Sequence, residues 1–184
     1  MELRWPDEEM LNSYADALRT GWSPNTMRDE AAGEELQQIE RGRADFLSSL
    51  VDRQAAGPPI LLPDGSLGRR LPGYRKWMWD GEFCGSIGFR WQPGTSALPS
   101  HVLGHIGYSV VPWKRRRGYA TRALGMILID AAAEGLDQVE ITTDLDNVNS
   151  QRVIVANGGE LVGRFPRGRA YGDSDELRYV IRFP

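Results

Sequence analysis

The sequence predicts a mixed α/β fold, and three observations support this prediction. Helical and strand periodicities alternate along the 184 residues, and the shares of apolar (41%) and charged (26%) residues are those of a globular protein. The dipeptide Asp80-Gly81 separates two stretches of alternating side chains, which is the strongest short hairpin signal in the chain. From residue 105 to residue 144, an apolar strand, a basic glycine turn, an amphipathic helix and a second strand follow one another.

The first third of the chain favours helices. Residues 1–5 can form a short strand, and a proline and a glycine delimit a helix within residues 6–21. A second helical pattern extends from about residue 29 to residue 54, and two glycines inside it allow two shorter pieces. The Gly-Pro-Pro cluster at residues 57–59 ends this pattern.

The middle third favours strands. Residues 60–62 and 67–71 flank a Pro-Asp-Gly turn and predict a small hairpin or a surface flap. Residues 74–79 and 82–91 flank the Asp-Gly dipeptide and predict a longer hairpin. A further strand is expected at about residues 102–111, just before the basic turn.

The last part of the chain returns to alternating helices and strands. Its clearest helix begins after Gly118, because small and apolar residues recur at intervals of three and four until Gly135 ends it. A strand, a short helix and two closing strands are then expected at residues 139–143, 147–157, 161–165 and 176–183. A glycine- and arginine-rich loop at residues 166–174 joins the closing strands.

Composition disfavours several classes of function. The formal net charge of −3 disfavours a protein that binds nucleic acid by bulk electrostatics. The single cysteine, Cys84, excludes an internal disulfide and a multi-cysteine metal site, and His101 and His105 have no acidic companion at metal-ligand spacing. No apolar run is long enough to cross a membrane, and the N-terminal residues lack a signal-peptide pattern. We therefore expect a single cytoplasmic domain without a metal, a membrane or a nucleic-acid partner.

The turn Arg115-Arg116-Arg117-Gly118-Tyr119-Ala120-Thr121 is the strongest candidate for a ligand site. It precedes a helix whose first amides have no partner within the helix, and these amides and the helix dipole favour an anion. Neither the Gly-Lys-Ser/Thr of a P-loop nor the glycine spacing of a dinucleotide fingerprint is present. A pyrophosphate held by successive backbone amides and a solvated basic turn both fit this spacing.

Arg115, Gly118 and Ala120 give the turn the pattern Arg-x-x-Gly-x-Ala, which resembles the acetyl-CoA pyrophosphate signature of the GNAT N-acetyltransferase superfamily. Ile106-Gly107-Tyr108 before the turn agrees with this resemblance. After the turn, Asn147-x-x-Ser150 and then Asn157-Gly158 are similar to the branch that includes the ribosomal-protein N-acetyltransferases.

The resemblance covers residues 75–165 well and implies a GNAT fold. This fold has a mixed, mostly antiparallel central sheet of about six or seven strands, a splay between two parallel central strands, and about four flanking helices. One domain is expected, in which residues 1–72 form the acceptor side, residues 73–165 the acetyl-CoA-binding core, and residues 166–184 the closing loop and strand.

The same resemblance implies how acetyl-CoA, the expected co-substrate, would bind. Backbone groups of Val110 and Val111 would pair with the pantetheine arm, and the side chain of Asn147 would contact the pantetheine or the adenosine. The pyrophosphate would lie on the turn, whose expected cofactor-binding residues are Arg115, Arg116, Arg117, Gly118, Tyr119, Ala120 and Thr121. Ser150 would hydrogen-bond the sulfur atom.

Acetyl transfer to an amine requires a neutral amine and a stabilised oxyanion, and it benefits from a proton donor for the thiolate. His105 is the first candidate base, because many relatives carry a glutamate there and histidine titrates near neutrality; the alternative is a histidine bonded to a neighbouring backbone group. Asp144 is the second candidate base, or else a turn carboxylate. The backbone N–H of Val110 is expected to meet the oxyanion.

For the proton donor, Ile154 occupies the position where much of the superfamily carries a tyrosine. Ser150, one turn earlier, is the expected replacement, and a helix cap is its alternative role. Tyr171 is a further candidate.

The expected function is acetyl-CoA-dependent N-acetylation of a primary amine by direct attack in a ternary complex. A catalytically degenerate protein that binds CoA as a sensor is the alternative, because the usual tyrosine is missing. The acceptor can be a small amine, an antibiotic, a free amino acid or a protein N-terminus, and a homodimer is compatible with the sequence. Arg164, Arg167 and Arg169 could attract an acidic acceptor or balance neighbouring carboxylates.

Overall fold

The computed structural model describes residues 1–25, 27–28, 30–168, 171 and 174–184. The α-helices are α1 (Leu11–Arg19), α2 (Ala31–Arg41), α3 (Arg43–Ser49), α4 (Tyr119–Ala133) and α5 (Val148–Val155). The β-strands are β1 (Glu2–Arg4), β2 (Val51–Asp52), β3 (Ile60–Leu61), β4 (Leu67–Gly68), β5 (Gly73–Trp79), β6 (Phe83–Arg90), β7 (Ile106–Val110), β8 (Gln138–Asp144), β9 (Glu160–Pro166) and β10 (Asp175–Arg182).

The strands form two main sheets and a small hairpin. The first sheet has the order β1-β5-β6-β7, and β2 also pairs with β5. The second sheet has the order β8-β10-β9, and β3 pairs with β4. Every ladder among the described residues is antiparallel. The mixed α/β fold class is therefore confirmed, with one more α-helix in the described part of the chain than the four expected.

The two sheets separate between β7 and β8, which α4 connects. The residues just before β7 reach β8, through an isolated antiparallel bridge between Gly104 and Ile141 and a hydrogen bond of 2.8 Å from the His105 N–H to the Glu140 carbonyl. The described residues form no parallel ladder between these strands, so the expected splay begins immediately after this bridge. It leaves the edge of β7 open toward solvent and ligands.

Apolar side chains cover both faces of the first sheet. On one face, the predicted stripe of α4 is buried completely at Ala123, Leu124, Ile127 and Ala131. On the other face, helices α1 to α3 enclose an aromatic cluster in which Tyr14 stacks on Trp77 with 4.4 Å between ring centroids. Burial of such large rings stabilises the attachment of the N-terminal helices to the sheet.

Three predicted elements differ from the observed ones. The helical pattern of residues 29–54 divides into α2 and α3 at Gly42, and its end becomes β2 because Val51 pairs with Tyr74 of the sheet; residue 29 itself lies outside the described residues. The strand predicted from residue 102 starts only at Ile106, since Gly104 has a φ of +132° that interrupts extended pairing. The hairpin of residues 60–71 keeps two residues in each strand.

Two further classes of feature are not seen in the described part of the chain. No helix there is long and apolar enough to cross a membrane. No group of three or more His, Cys, Asp or Glu side chains among those residues is arranged to hold a metal ion. The single-domain organisation stays a prediction.

Candidate active site

The basic turn has the backbone shape of an anion site. Arg116 and Gly118 both adopt left-handed conformations, with φ of 62° and 72°, and Gly118 is the N-cap of α4. Alternating right- and left-handed residues turn successive amides toward one point. Among the described residues, the amides from Arg116 to Thr121 find no backbone acceptor, and the first helical hydrogen bond runs from Arg122 to Gly118 at 3.0 Å. The expected cradle of free amides is therefore present.

The side chains of the turn divide into exposed and engaged groups. Arg115, Arg116 and Arg117 are exposed, and Arg115 donates to the Val110 carbonyl at 3.2 Å. Lys114, which the sequence groups with them, is buried and pairs with Asp80 at 2.8 Å and with Glu82 at 2.6 Å. Its ammonium group therefore fixes the neighbouring hairpin and is not free to meet a ligand.

Tyr119, Ala120 and Thr121 form the first turn of α4 and are partly buried. The Tyr119 hydroxyl donates to Asp80, and this hydrogen bond is the main cause that raises its pKa. The carbonyl of Thr121 accepts from the Asn157 side chain at 3.2 Å, and Asn157 also donates to Val153 at 2.9 Å. Asn157 thus ties the end of α5 to the start of α4 and holds the turn beside the second predicted motif.

The open edge of β7 presents some of the predicted backbone groups and not others. In an antiparallel ladder, alternate residues direct their N–H and C=O groups to the same neighbour. Val111 donates to the Cys84 carbonyl at 3.0 Å and its own carbonyl accepts from Lys114, so its backbone is already occupied. Val110 has the opposite parity, and its N–H points into the splay. The prediction for Val111 is corrected. The carbonyl of Val110 accepts from Arg115, so its N–H is the group that remains available to a pantetheine arm or an oxyanion.

The start of α5 places Ser150 against Tyr108 of β7. The Tyr108 and Ser150 hydroxyls share a hydrogen bond of 2.9 Å. Burial raises the pKa of Tyr108 to about 12, against a smaller opposing effect of Ser150. Asn147 caps the helix by accepting from the Ser150 amide at 3.1 Å. The alternative role of Ser150 as a helix cap is therefore wrong, because Asn147 is the cap, and the Ser150 hydroxyl lies in the splay beside a protonated tyrosine.

Ile154 is fully buried in the core cluster under α4. The position where a tyrosine is usual in the superfamily therefore carries an apolar contact here. Tyr108 supplies a phenol from the neighbouring strand instead.

His105 lies away from this chemistry. Its side chain is fully buried, its Nδ1 accepts from the Glu140 amide at 2.9 Å, and its Nε2 has no partner among the described residues. Burial lowers its pKa to about 4, with the nearby Arg90 charge acting in the same direction. A ring that is this weakly basic and does not line the cavity is poorly suited to deprotonate an amine. His105 is corrected to a residue that holds the start of β7 to β8.

A cavity of about 540 Å³ opens where the two sheets part. Tyr108, Asn147 and Ser150 line its donor end. Small-molecule sites have volumes of this order. The cavity therefore has room for a compact acceptor and reaches the two hydroxyls described above.

Asp144 lines the cavity but has an exposed side chain that pairs with Arg167. Arg167 in turn lies 3.7 Å from Glu176. Asp144 keeps its status as a candidate base, although its carboxylate is already neutralised. Arg164 pairs with Asp175 on the surface, and Arg169 lies outside the described residues.

Glu176, at the start of β10, is the acidic residue that sequence reasoning missed. Only 1% of it is exposed, and it lines the cavity. Its carboxylate lies 3.7 Å from Arg167 and 3.7 Å from Arg178, but neither oxygen has a hydrogen bond of normal geometry among the described residues. Burial raises the pKa of Glu176, while Thr142, Arg178 and Arg167 oppose this rise. A carboxyl group of this kind has the environment of a general base.

Tyr171 also lines the cavity, with its hydroxyl donating to the His101 carbonyl at 2.7 Å. Burial raises its pKa. Since its proton is already committed to a backbone acceptor, Tyr171 is less available than Ser150 as a proton donor.

The structure therefore brings Ser150, Asn147 and the Val110 amide together around the splay and leaves His105 outside it. Tyr108 was visible in the sequence only as part of a strand motif, and nothing local indicated its partner on α5. Glu176 carried no sequence signal, because one glutamate at the start of a strand looks like any solvent-facing charge.

Comparison with known proteins identifies the family. The profile of the acetyltransferase (GNAT) domain matches residues 2–160. No curated protein matches the chain by sequence.

Solved structures share the fold at low identity. A microcin self-immunity acetyltransferase, MccE, in complex with acetyl-CoA and AMP has a TM-score of 0.63 at 12% identity, over 98% of this chain and 91% of that chain. A Salmonella typhimurium acetyltransferase that modifies the N-terminal serine of a 50S ribosomal subunit protein has a TM-score of 0.61 at 14% identity, over 99% and 94%. Mycobacterium smegmatis RimJ in complex with CoA-disulfide has a TM-score of 0.62 at 19% identity, over 98% and 80%.

At these identities, the structures show that the overall fold is shared. Because the domain profile spans most of the sequence, the chain belongs to the GNAT acetyltransferase family.

Proposed function

We propose that this protein is an acetyl-CoA-dependent N-acetyltransferase, in which a primary amine attacks the thioester directly within a ternary complex. One observation carries the proposal. The free amides of the turn before α4, the open edge of β7 at Val110 and a cavity with a buried carboxyl group at Glu176 follow one another along the splay. This arrangement suits a long donor with an anionic end and a reactive end.

The donor end fits the diphosphate of acetyl-CoA. The amides from Arg116 to Thr121 and the dipole of the 15-residue helix α4 would bind the pyrophosphate, and the exposed Arg115 to Arg117 side chains would add charge. The N–H of Val110 would pair with the pantetheine arm or with the oxyanion. Solved relatives with acetyl-CoA or CoA-disulfide bound support this choice of donor.

The acceptor end supplies the proton transfers. The amine nitrogen forms the new bond to the acetyl carbon, and Glu176 accepts the proton that the amine loses. The carbon–sulfur bond then breaks, and the Ser150 hydroxyl, backed by Tyr108, gives a proton to the departing thiolate. With a pKa of about 12, Tyr108 remains protonated and able to donate at neutral pH. Proximity in one cavity provides the remaining acceleration.

The test is a thiol-release assay with acetyl-CoA over a panel of amines and N-terminal peptides, with acetyl-CoA affinity measured separately. We expect saturable donor binding and release of CoA thiol with at least one amine. Failure to bind acetyl-CoA would contradict the proposal. Donor binding without turnover on any amine or peptide would instead identify a CoA sensor.

A further inference from the structure

The acceptor cavity has a floor without side chains. Directly opposed residues of an antiparallel sheet lie on the same face, and Arg75, Gly88 and Gly107 are opposed across β5, β6 and β7. Gly73 lies opposite Arg90 on that face. All of these residues line the cavity. Two guanidinium groups therefore border a surface made of glycine backbone, where a ligand can come close.

Arg90 extends over this floor. The terminal Nη2 of its side chain lies 3.6 Å from the position that a Cβ on Gly107 would occupy. Its backbone N–H is used in the sheet, where it donates to His105 at 2.9 Å. The guanidinium group itself makes no hydrogen bond or ion pair with any described residue. A ligand can therefore bind it without breaking a hydrogen bond or ion pair to one of those residues.

The neighbouring arginine behaves differently. Arg75 donates to Glu35 at 2.8 Å and to the Tyr14 hydroxyl at 3.2 Å, so its charge is neutralised within the protein. Arg70 and Arg28, which also line the cavity, pair with Asp52 and Glu34. Arg90 thus contributes an exposed positive charge to the cavity without an acidic partner in the described part of the chain.

Arg90 is exposed and has no acidic partner among the described residues, so its guanidinium group is available for a charge-assisted pair with a bound anion. A guanidinium group stays protonated in proteins, so Arg90 carries its positive charge at neutral pH. Glu176 provides the opposite charge in the same cavity, where an amine would be deprotonated. The cavity therefore offers one group for an amine and another for an anion.

We infer that the acceptor is an amine that also carries a carboxylate or phosphate group, and that Arg90 binds this anion. The inference rests on the proposed function and specifies the class of its acceptor. A guanidinium fork binds carboxylate and phosphate oxygens through two parallel hydrogen bonds, so both anions share the same recognition chemistry.

The test measures binding of matched probes to free protein and to protein saturated with CoA. The carboxylate pairs are amino acids and their carboxamides, and the phosphate pair is phosphoethanolamine and ethanolamine. In wild-type protein we expect the anionic member of at least one pair to bind about ten to a hundred times more tightly, the usual gain from a charged hydrogen-bonded pair. The carboxylate and phosphate arms identify the anion.

Arg90→Gln should abolish this preference without weakening the neutral probes, and Arg90→Lys should retain part of it. Arg69→Gln is the matched control, because it removes an exposed charge that also lines the cavity and should leave the preference intact. The inference would be overturned by any of three results. These are equal binding within every pair, no binding of any anionic probe, and an unchanged preference in Arg90→Gln. Loss of acetyl-CoA binding would contradict the proposed function and not this inference. The two tests are separate, because the anion preference is measured in free protein, without the donor.

Discussion

The donor turn before α4 and the acceptor cavity lie on either side of the opening between β7 and β8, and they are built from different material. The proposed donor turn is seven consecutive residues, and its proposed ligand groups are backbone amides set by two left-handed residues. The acceptor cavity uses side chains from separate strands: Arg90 from β6, Tyr108 from β7 and Glu176 from β10. In the donor turn, the backbone conformation sets the arrangement of the binding groups. In the acceptor cavity, this arrangement is set by the packing of strands that are distant in sequence.

This difference implies that the two regions respond to different substitutions. Replacing a side chain in the donor turn leaves most of its amides in place, whereas changing its backbone conformation or its charge affects all of them together. In the cavity, each side chain has its own role, so single substitutions should affect proton transfer or selectivity without affecting the donor.

The largest expected effect is on the donor side, from Gly118→Glu. A side chain at a φ of 72° is strained, and its carboxylate would face the pyrophosphate. Like-charge juxtaposition costs several kcal/mol, so we expect acetyl-CoA affinity to fall by at least about a hundredfold. Isothermal titration with acetyl-CoA measures this effect.

Gly135→Glu is the matched control for that variant. Gly135 follows the other end of α4 with a φ of 80°, and a Cβ at either glycine meets no atom within 4 Å. Both variants should lose similar thermal stability, while only Gly118→Glu loses the donor. Equal loss of acetyl-CoA affinity in the two variants would show that the backbone cradle is not the donor site.

The next effect lies in the cavity, at Glu176. Glu176→Gln removes the proposed base, and we expect kcat to fall by about a hundredfold or more, the usual contribution of a general base, with little change in acetyl-CoA affinity. Asp144→Asn is its control, because Asp144 lines the same cavity but is exposed and paired with Arg167. A larger loss in Asp144→Asn would move the base to that residue.

The pH dependence sharpens this assignment. Because burial raises the pKa of Glu176, wild-type activity should rise with pH through that pKa and then become constant, and the rise should be absent in Glu176→Gln. Stability should show the opposite trend. A carboxyl group whose pKa is higher in the folded state than in the unfolded state stabilises the fold at pH values below the unfolded-state pKa. This contribution is lost as the pH rises through the folded-state pKa. Glu176→Gln should therefore be more stable than wild type at high pH, and this advantage should shrink in acid.

The same difference explains what could be predicted from the sequence. The turn and α4 were predictable because their residues are contiguous and because glycine spacing specifies backbone shape directly. Glu176 and Arg90 could not be predicted, since their importance comes from which strands the fold places around the cavity. Tyr108 is intermediate: its strand was predicted, but its contact with Ser150 spans 42 residues. His105 was misassigned because the sequence did not show that this side chain is buried just before β7.

A smaller effect is expected at the hydroxyl pair. Ser150→Ala and Tyr108→Phe should each lower kcat by about tenfold, which is less than the usual contribution of an acid–base group. The loss is small because the remaining hydroxyl or a water can still protonate the thiolate. Since the two hydroxyls share one hydrogen bond, the double variant should lose less than the product of the single losses. Steady-state kinetics on all four proteins gives this coupling, and independent effects would indicate that the pair does not act as a unit.

The smallest effect on activity is expected at His105, where stability changes instead. His105→Gln keeps an acceptor for the Glu140 amide and should leave the pH profile of the rate unchanged. The folded-state pKa of about 4 lies below the ordinary value of 6.5, so wild-type stability should be lost as the pH falls between these values. The loss is at most about 3.5 kcal/mol, because each pKa unit corresponds to about 1.4 kcal/mol.

Chemical denaturation of wild type and variant from pH 7 to pH 4 measures this loss, and the difference between them isolates His105 from the carboxyl groups that titrate in the same range. His101→Gln is the matched control, because His101 is only partly buried and binds the Arg69 carbonyl at 3.0 Å, so it should keep the wild-type slope. If His105→Gln instead removed the pH dependence of the rate, the histidine would belong to the acceptor chemistry, and the boundary drawn here between the cavity and the β7–β8 junction would have to move.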